Sequence, residues 1–506
     1  MFKKAIAIIL ASVMLCGCIP FAFASSEAGN GYSITNPYEN IDWETVNQYK
    51  AALHTHTNAS DGDDTLVASI ERHYETGFEV LAITDHGISS KSWTDTSKNS
   101  KLITTVMSLI GKSNGNLVFL QDKGTLPNGT AYEVQTVNGD DYFVAENGHK
   151  ILRVPFGIEN NAVSVNAHVN SWFGEFEDNM PSGYRNAIVN VDKAGGVSVI
   201  NHPGEYTQAR YELYQEDAYD MSNPSYNYYI NKFYGYINKY DSCIGIDINS
   251  KGDGRTRYDR KLWDIMLSMA AEEGKTVTAI ATSDAHQLDK IDTGSVLILA
   301  YENTSANIKN ALLNGELLPQ STCIHNRDEL EQIAEALKLY YGETELYKEI
   351  AALVVEYDAE REEKDKSGDD GQVGVRYTAL DDEGYLATST RPSVKSITVD
   401  DSNDTITIDS ENALLIRWIS DGKLIATTKA DDVAFDLNDY EDVINGYVRA
   451  EIFGEGGIVY TEGFTLNADN ASDSGNDFIF DLGFMDFIFA LVDRYASLIG
   501  RIIGNI

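Results

Sequence analysis

The sequence predicts an α/β fold followed by a smaller all-β unit, and three observations predict it. From Tyr49 to about Tyr301, short β-branched or apolar runs alternate with segments of helical character, as a β/α architecture requires. From Ser393 to Leu466 the pattern becomes wholly β, with turn signals at Asp421-Gly422 and Gly454-Glu455-Gly456-Gly457. With 506 residues and 43% apolar side chains, the chain is long enough for more than one domain.

Taken in order, the chain opens with Lys3 and Lys4 before an apolar run to Phe23, ending in the small-x-small pattern Ala22-Phe23-Ala24. This predicts a signal peptide over 1–24 and an exported protein, extracellular or in the cell envelope. A second reading takes Leu15-Cys16-Gly17-Cys18 as lipobox-like, with Cys18 lipidated and tied to a membrane. A retained transmembrane anchor is disfavoured, because a small-residue cleavage site follows at once.

The first large unit is expected over 25–320. Its strand candidates are Tyr49–Leu53, Phe78–Ile83, Leu117–Leu120, Ile151–Ile158, Ala162–Asn166, Val197–Ile200, Cys243–Ile248, Val277–Ala281 and Ser295–Ala300. Helices are expected over Thr65–Thr76 and Lys261–Glu273, closed by Gly77 and Gly274. Lys123 to His149, rich in Gly, Asn and Asp, reads as an insertion or a long loop near the site.

A helical segment and linker follow over 321–386, with a break near Gly342. A small β-sandwich is expected over 387–467, then a polar linker over 468–477. In the tail, 478–506, Phe484, Phe487, Ile488, Leu491, Tyr495, Leu498 and Ile502 fall on one helical face. Four charges within about twenty residues argue against a spanning helix. Such a tail suits packing on the protein body, or contact with a membrane surface, cell envelope or partner.

The formal net charge of −39 disfavours a nucleic-acid polymer as partner, since no basic stripe is available to neutralise its backbone. Most of this charge reads as an acidic, solubilising surface. A small anion remains compatible with it, because bound divalent cations would reverse the local sign. Once 1–24 is removed, only Cys243 and Cys323 remain, so no disulfide framework is indicated.

The strongest local signal is His54-Thr55-His56 at a strand end, where residues i and i+2 face the same way and both imidazoles can reach one ion. Asp61 follows in Ser60-Asp61-Gly62. His86 ends Ile83-Thr84-Asp85-His86, His202 lies in Asn201-His202-Pro203, and Asp284 and His286 repeat the i, i+2 geometry in Ser283-Asp284-Ala285-His286. One such histidine alone reads as structural, but the ordered set reads as a site at one edge of a β/α unit. Mixed His and carboxylate sets suit zinc, manganese or iron. His73, His149 and His325 read as bland: a surface helix, a polar loop and the helical segment.

With these motifs the sequence resembles the PHP (polymerase and histidinol phosphatase) superfamily of metal-dependent phosphoesterases, over about 250 residues. The resemblance implies two further ligands, matched in order by Glu159 in Gly157-Ile158-Glu159 and His168 in Asn166-Ala167-His168. It implies a distorted (β/α)7 barrel and two or three divalent transition-metal ions, zinc, manganese or iron. The first would be held by His54, His56, Glu159 and Asp284, the second by Glu159, His168 and His202, and the third by Asp61, His86 and His286. Asp61 stands where some relatives have a histidine, which alters the metal preference of the third site.

Paired cations lower the pKa of a bridging water, so hydrolysis of a small phosphate ester follows from the resemblance, with Glu159, Asp284 and His286 as its catalytic residues. Asp85 is expected either to orient a ligand or to cap a helix. Lys251, Arg255 and Arg257 are candidates for binding the substrate phosphate, or else a solvated basic loop. Two other readings stand beside this one: a metal-dependent hydrolase of another bond, such as an amide, and a cell-surface binding protein that uses the β-sandwich with the barrel as scaffold.

Overall fold

The structure is a computed structural model. It describes residues 32–468 apart from 90, 95–97, 100–118, 162–166, 177–182, 208, 210–217, 251–255, 257, 325, 368–376, 379–390 and 432–433. The expected signal peptide with Cys18, the strand expected at 162–166, Lys251, Arg255, Arg257, His325 and the tail 478–506 lie outside the described residues.

Strands and helices form a mixed α/β structure with several sheets. Asn47–Ala52 pairs in parallel with Val80–Leu81, which pairs in parallel with Lys150–Arg153. On its other edge Asn47–Ala52 runs antiparallel to Gly294–Ala300. A separate five-stranded sheet runs Ile158–Asn161, His168–Trp172, Val197–Ile200, Cys243–Asp247, Thr278–Ile280, antiparallel at its start and parallel at its end. Inward side chains of both sheets, among them Leu53, Val80, Leu152, Val199, Ile280 and Val296, meet in one core. Each such buried aliphatic side chain contributes about 1.5–3 kcal/mol.

Among the described residues the sheets are not closed. Val80–Leu81 spans two residues, so the chain leaves the ladder early. Beyond it the two sheets touch through two single parallel bridges, Thr55 with Ala285 and His86 with Glu159. Those four residues lie in the sequence motifs, so the place where the sheets meet is also where the motifs meet.

Helices Leu66–Glu75 and Asp259–Ala271 cover the strands, and Gly77 (φ 77°) and Gly274 (φ 66°) follow them in the left-handed conformation that favours glycine. The Lys123–His149 stretch departs from the expected loop. It adds three antiparallel strands, Lys123–Thr125, Ala131–Val137 and Asp140–Ala145, to the edge of the large sheet. Gly129, Gly139 and Gly148 are turn residues with positive φ, as at Asn138-Gly139 (54° and 95°), whereas Gly124 lies within a strand opposite Tyr132.

Helices Arg327–Tyr341 and Glu345–Ser367 flank Gly342, whose φ is 79°. Downstream, Ser393–Asp400, Thr405–Glu411 and Phe435–Asp436 form a three-stranded sheet. Leu415–Ser420, Lys423–Lys429, Tyr447–Gly454, Gly457–Tyr460 and Phe464–Ala468 instead extend the large sheet, since Gly457–Tyr460 pairs with Leu317–Ser321. A second core lies between these layers, with Ile397, Ile406, Trp418, Phe435 and Ile452.

The junction with the preceding unit carries a buried ion network. Arg260 and Arg417 both reach Glu329 (2.7 and 2.9 Å), and Arg449 reaches Asp264 (2.6 Å) and Glu451 (2.7 Å). Cys243 and Cys323 are buried and unbridged. Among the described residues no helix is long and apolar enough to cross a membrane.

Candidate metal centre

The first motif is held in place by the others. His56 N–H donates to Ala285 O (3.0 Å), Thr84 N–H donates to Thr55 O (2.9 Å), and Asp63 N–H donates to His286 O (2.8 Å). Gly62 closes the turn that returns Asp61 to His56, because a Cβ there would stand 2.8 Å from the His56 carbonyl. Gly157 plays the same part for Glu159: a Cβ would lie 2.5 Å from Ile83 O.

His202 (φ 26°) and Asp284 (φ 44°) have left-handed backbone conformations that side chains rarely adopt. Such residues cost about 1–3 kcal/mol each and persist where surrounding structure imposes them. His202 also precedes Pro203, which restricts it further.

All nine candidate ligands come together. His54 Nε2 and His56 Nε2 are 3.1 Å apart, and each lies 3.2–3.3 Å from Glu159 Oε2 and 3.2 Å from Asp284 Oδ1. Four ligands tetrahedral about a zinc-sized ion are separated by roughly 3.3 Å. The donor set therefore fits a divalent ion.

The other oxygen of Glu159 faces a different group: Oε1 is 2.8 Å from His168 Nδ1 and 3.2 Å from His202 Nε2. Asp61 Oδ2 is 3.5 Å from His286 Nε2 and 3.7 Å from His86 Nε2, a looser set. The three sets are not isolated, since His202 Nε2 is 3.6 Å from Asp284 Oδ2 and His86 Nε2 is 3.4 Å from Glu159 Oε2. Three carboxylates and six imidazoles thus share one site suited to divalent metal ions.

Electrostatics follows from burial and crowding. Burial pushes the Glu159 carboxyl up, but His168, His54 and His86 outweigh it and hold the group well below the usual range. Burial pushes His56 down, while Asp61, Asp284 and Glu159 overcome this and raise it. For His86 burial wins, and its pKa falls to about 4. In a cluster this tight, a proton on one imidazole opposes a proton on the next.

Three further side chains support the ligands through contacts that the motifs do not specify. Asn201 Nδ2 donates to Glu159 Oε1 (2.8 Å). Asp85 is buried and accepts from Thr57 N–H (2.8 Å), Thr57 Oγ1 (2.7 Å) and Ser60 Oγ (2.6 Å). It ties down the loop that carries Asp61 and caps no helix among the described residues. Asp247 accepts from Thr282 Oγ1, and burial pushes its carboxyl up to about 6.

His73, expected on a helix surface, is buried, with Nδ1 2.7 Å from Ser69 O. His149 lies against Phe78 O (2.7 Å), away from the cluster.

No family profile matches the chain, and no curated protein sequence does. Among solved structures, a two-domain protein from Bacteroides vulgatus containing a predicted PHP-like metal-dependent phosphoesterase is similar at 13% identity. The match covers 87% of this chain and 99% of that one, with a TM-score of 0.34. A lesion-specific endonuclease from Pyrococcus furiosus is similar at 10% identity over 52% of this chain and 56% of that one, with a TM-score of 0.27. An amidohydrolase from Chromobacterium violaceum, with bound sulfate and no metal, is similar at 14% identity over 47% and 87%, with a TM-score of 0.25.

Proposed function

We propose that this chain is an exported metal-dependent phosphoesterase that hydrolyses a small phosphate ester with two or three zinc, manganese or iron ions. The observation that carries the reading is the division of Glu159: Oε2 faces His54 and His56, and Oε1 faces His168 and His202. A carboxylate placed between two imidazole-rich sets is positioned to bridge two ions.

The bound ions would supply a water acidic enough to attack near neutral pH and charge to offset a phosphoryl oxygen. The protein's own part is to hold the donors. Asp284 and His202 are fixed in strained backbone, Asn201 orients Glu159, and Asp85 fixes the Asp61 loop. Reading the strands that meet at this cluster as a distorted barrel belongs to the same proposal, as do the domain boundaries, the export signal and envelope contact through the tail. Lys251, Arg255 and Arg257 follow the Cys243–Asp247 strand and are proposed to meet the substrate phosphate.

The test is metal analysis of purified protein together with a panel of phosphomonoesters, phosphodiesters, nucleotides and amides, assayed with each metal. Two or three ions per chain are expected, and hydrolysis of a phosphate ester that disappears in the Asp284→Ala, His286→Ala double variant. Unchanged metal content and activity in that variant would overturn the proposal. Turnover of amides alone would replace the phosphate ester with another bond.

A further inference from the structure

The phosphoesterase reading gives no role to Tyr206, whose phenol stands against the metal cluster. Tyr206 lies in the short helix Gly204–Thr207, directly after His202-Pro203. Its hydroxyl is 3.1 Å from His168 Nδ1 and 3.0 Å from His168 Nε2, and among the described residues these two nitrogens are its hydrogen-bond partners. The phenol ring packs on both imidazoles, with centroids 4.8 Å from His168 and 5.7 Å from His202. The His168 side chain is 16% exposed, whereas Glu159 is 2% exposed, so Tyr206 flanks the more open side of that ligand set.

A neutral imidazole has one lone-pair nitrogen and one N–H. If His168 gives its lone pair to an ion, its remaining nitrogen is a donor, and the phenol oxygen can only accept there. The phenol's own proton then needs another acceptor. A phenol ordinarily ionises only near pH 10, so at neutral pH the proton stays on the oxygen.

We propose that Tyr206 is a further catalytic residue, which accepts a hydrogen bond from the non-ligating nitrogen of His168 and donates one to a non-bridging phosphoryl oxygen of the substrate. This inference rests on the phosphoesterase reading. Tyr206 transfers no proton: a water oxygen bonds to phosphorus and gives up a proton to solvent, the bond to the ester oxygen breaks and that oxygen leaves with the bonding pair and takes up a proton from solvent, and the phenol is protonated before and after. Its contribution is a placed donor that strengthens as charge grows on the phosphoryl oxygens.

The experiment compares the metal-loaded full chain with Tyr206→Phe. Kinetics are expected to show kcat reduced about 100-fold, the scale of losing one such donor, with KM within threefold and the ion count unchanged. Calorimetry needs no turnover: orthovanadate binding is expected to weaken at least tenfold in Tyr206→Phe, and inorganic phosphate binding by less than threefold.

A kcat within twofold of the parent, or vanadate affinity that does not change, would overturn the proposal. So would loss of metal in Tyr206→Phe with wild-type melting temperature, since the phenol would then only hold His168. A parent protein that loads metal and hydrolyses phosphate esters while Tyr206→Phe matches it removes this inference alone. A parent that binds no metal and hydrolyses no phosphate ester removes the phosphoesterase reading, and this inference with it.

Discussion

His54 Nε2 and His56 Nε2 face each other across 3.1 Å, and both face the same two carboxylate oxygens, Glu159 Oε2 and Asp284 Oδ1. Two imidazole lone pairs at that separation repel unless a cation lies between them. Alternate residues of one strand end place them so, and the backbone bond from His56 N–H to Ala285 O fixes the pair against the last motif.

Glu159→Ala is expected to remove more than one ion, because one carboxylate faces both imidazole sets. Metal content by mass spectrometry should fall to one ion or fewer per chain, with activity reduced at least about 1000-fold. Retention of the wild-type count would mean that Glu159 bridges nothing.

Asp85→Ala removes the acceptor of Thr57 N–H and Thr57 Oγ1 in a buried loop and leaves Ser60 Oγ only its longer contact with Asp61 Oδ1 (3.3 Å) as a carboxylate partner. Metal affinity is expected to drop about 10- to 100-fold, the usual scale for groups that orient ligands. Competition with a chromogenic chelator measures it, and an unchanged affinity would show that the Asp61 loop holds itself.

Gly157→Ala places a Cβ against Ile83 O. Urea denaturation is expected to show a loss of about 1–3 kcal/mol, with weaker metal binding because Glu159 shifts with the backbone. Equal stability and equal metal affinity would count against this close approach.

The buried ion network around Arg449 and Arg417 is expected to matter for stability and not for chemistry. Asp264→Ala strips Arg449 of its bidentate partner (2.6 and 2.9 Å) and should cost about 3–5 kcal/mol. Metal content should be unchanged, as measured on the same preparation.

The same network sets a pH dependence. Burial pushes Glu451 up, but Arg417 and Arg449 bring its pKa down to about 2. A carboxyl with a depressed folded pKa contributes stability that is present above its unfolded value, about 4.3, and lost as pH falls through the folded value. Stability should therefore decline between about pH 4.5 and 2, and Glu451→Gln should flatten that part of the profile. Parallel profiles for both proteins would contradict it.

The parts of the site legible in the sequence were those carried by local periodicity. The His54-Thr55-His56 and Asp284-Ala285-His286 patterns each place two ligands on one face whatever surrounds them. Glu159 carries no such pattern; its place comes from the bridge to His86 across two sheets. Asp85 was legible as a support beside His86, but its Thr57 and Ser60 partners were not, and the contacts of Asn201 with Glu159 and of Tyr206 with His168 are distant along the chain, which spacing does not reveal. The β strands after Ser393 were legible from alternation, but alternation names a buried face and not a neighbour. Gly457–Tyr460 joining Leu317–Ser321 was therefore not readable. The Lys123–His149 strands were hidden because short, turn-rich hairpins and loops have similar composition.

Anomalous X-ray diffraction from metal-loaded crystals, collected at the zinc, manganese and iron edges, addresses the metal cluster most directly. Two peaks are expected on opposite sides of the Glu159 carboxylate, one among His54, His56 and Asp284 and one among His168 and His202. Absence of a peak beside Glu159, or peaks only at sites away from these residues, would contradict a metal-dependent hydrolase centred on that carboxylate.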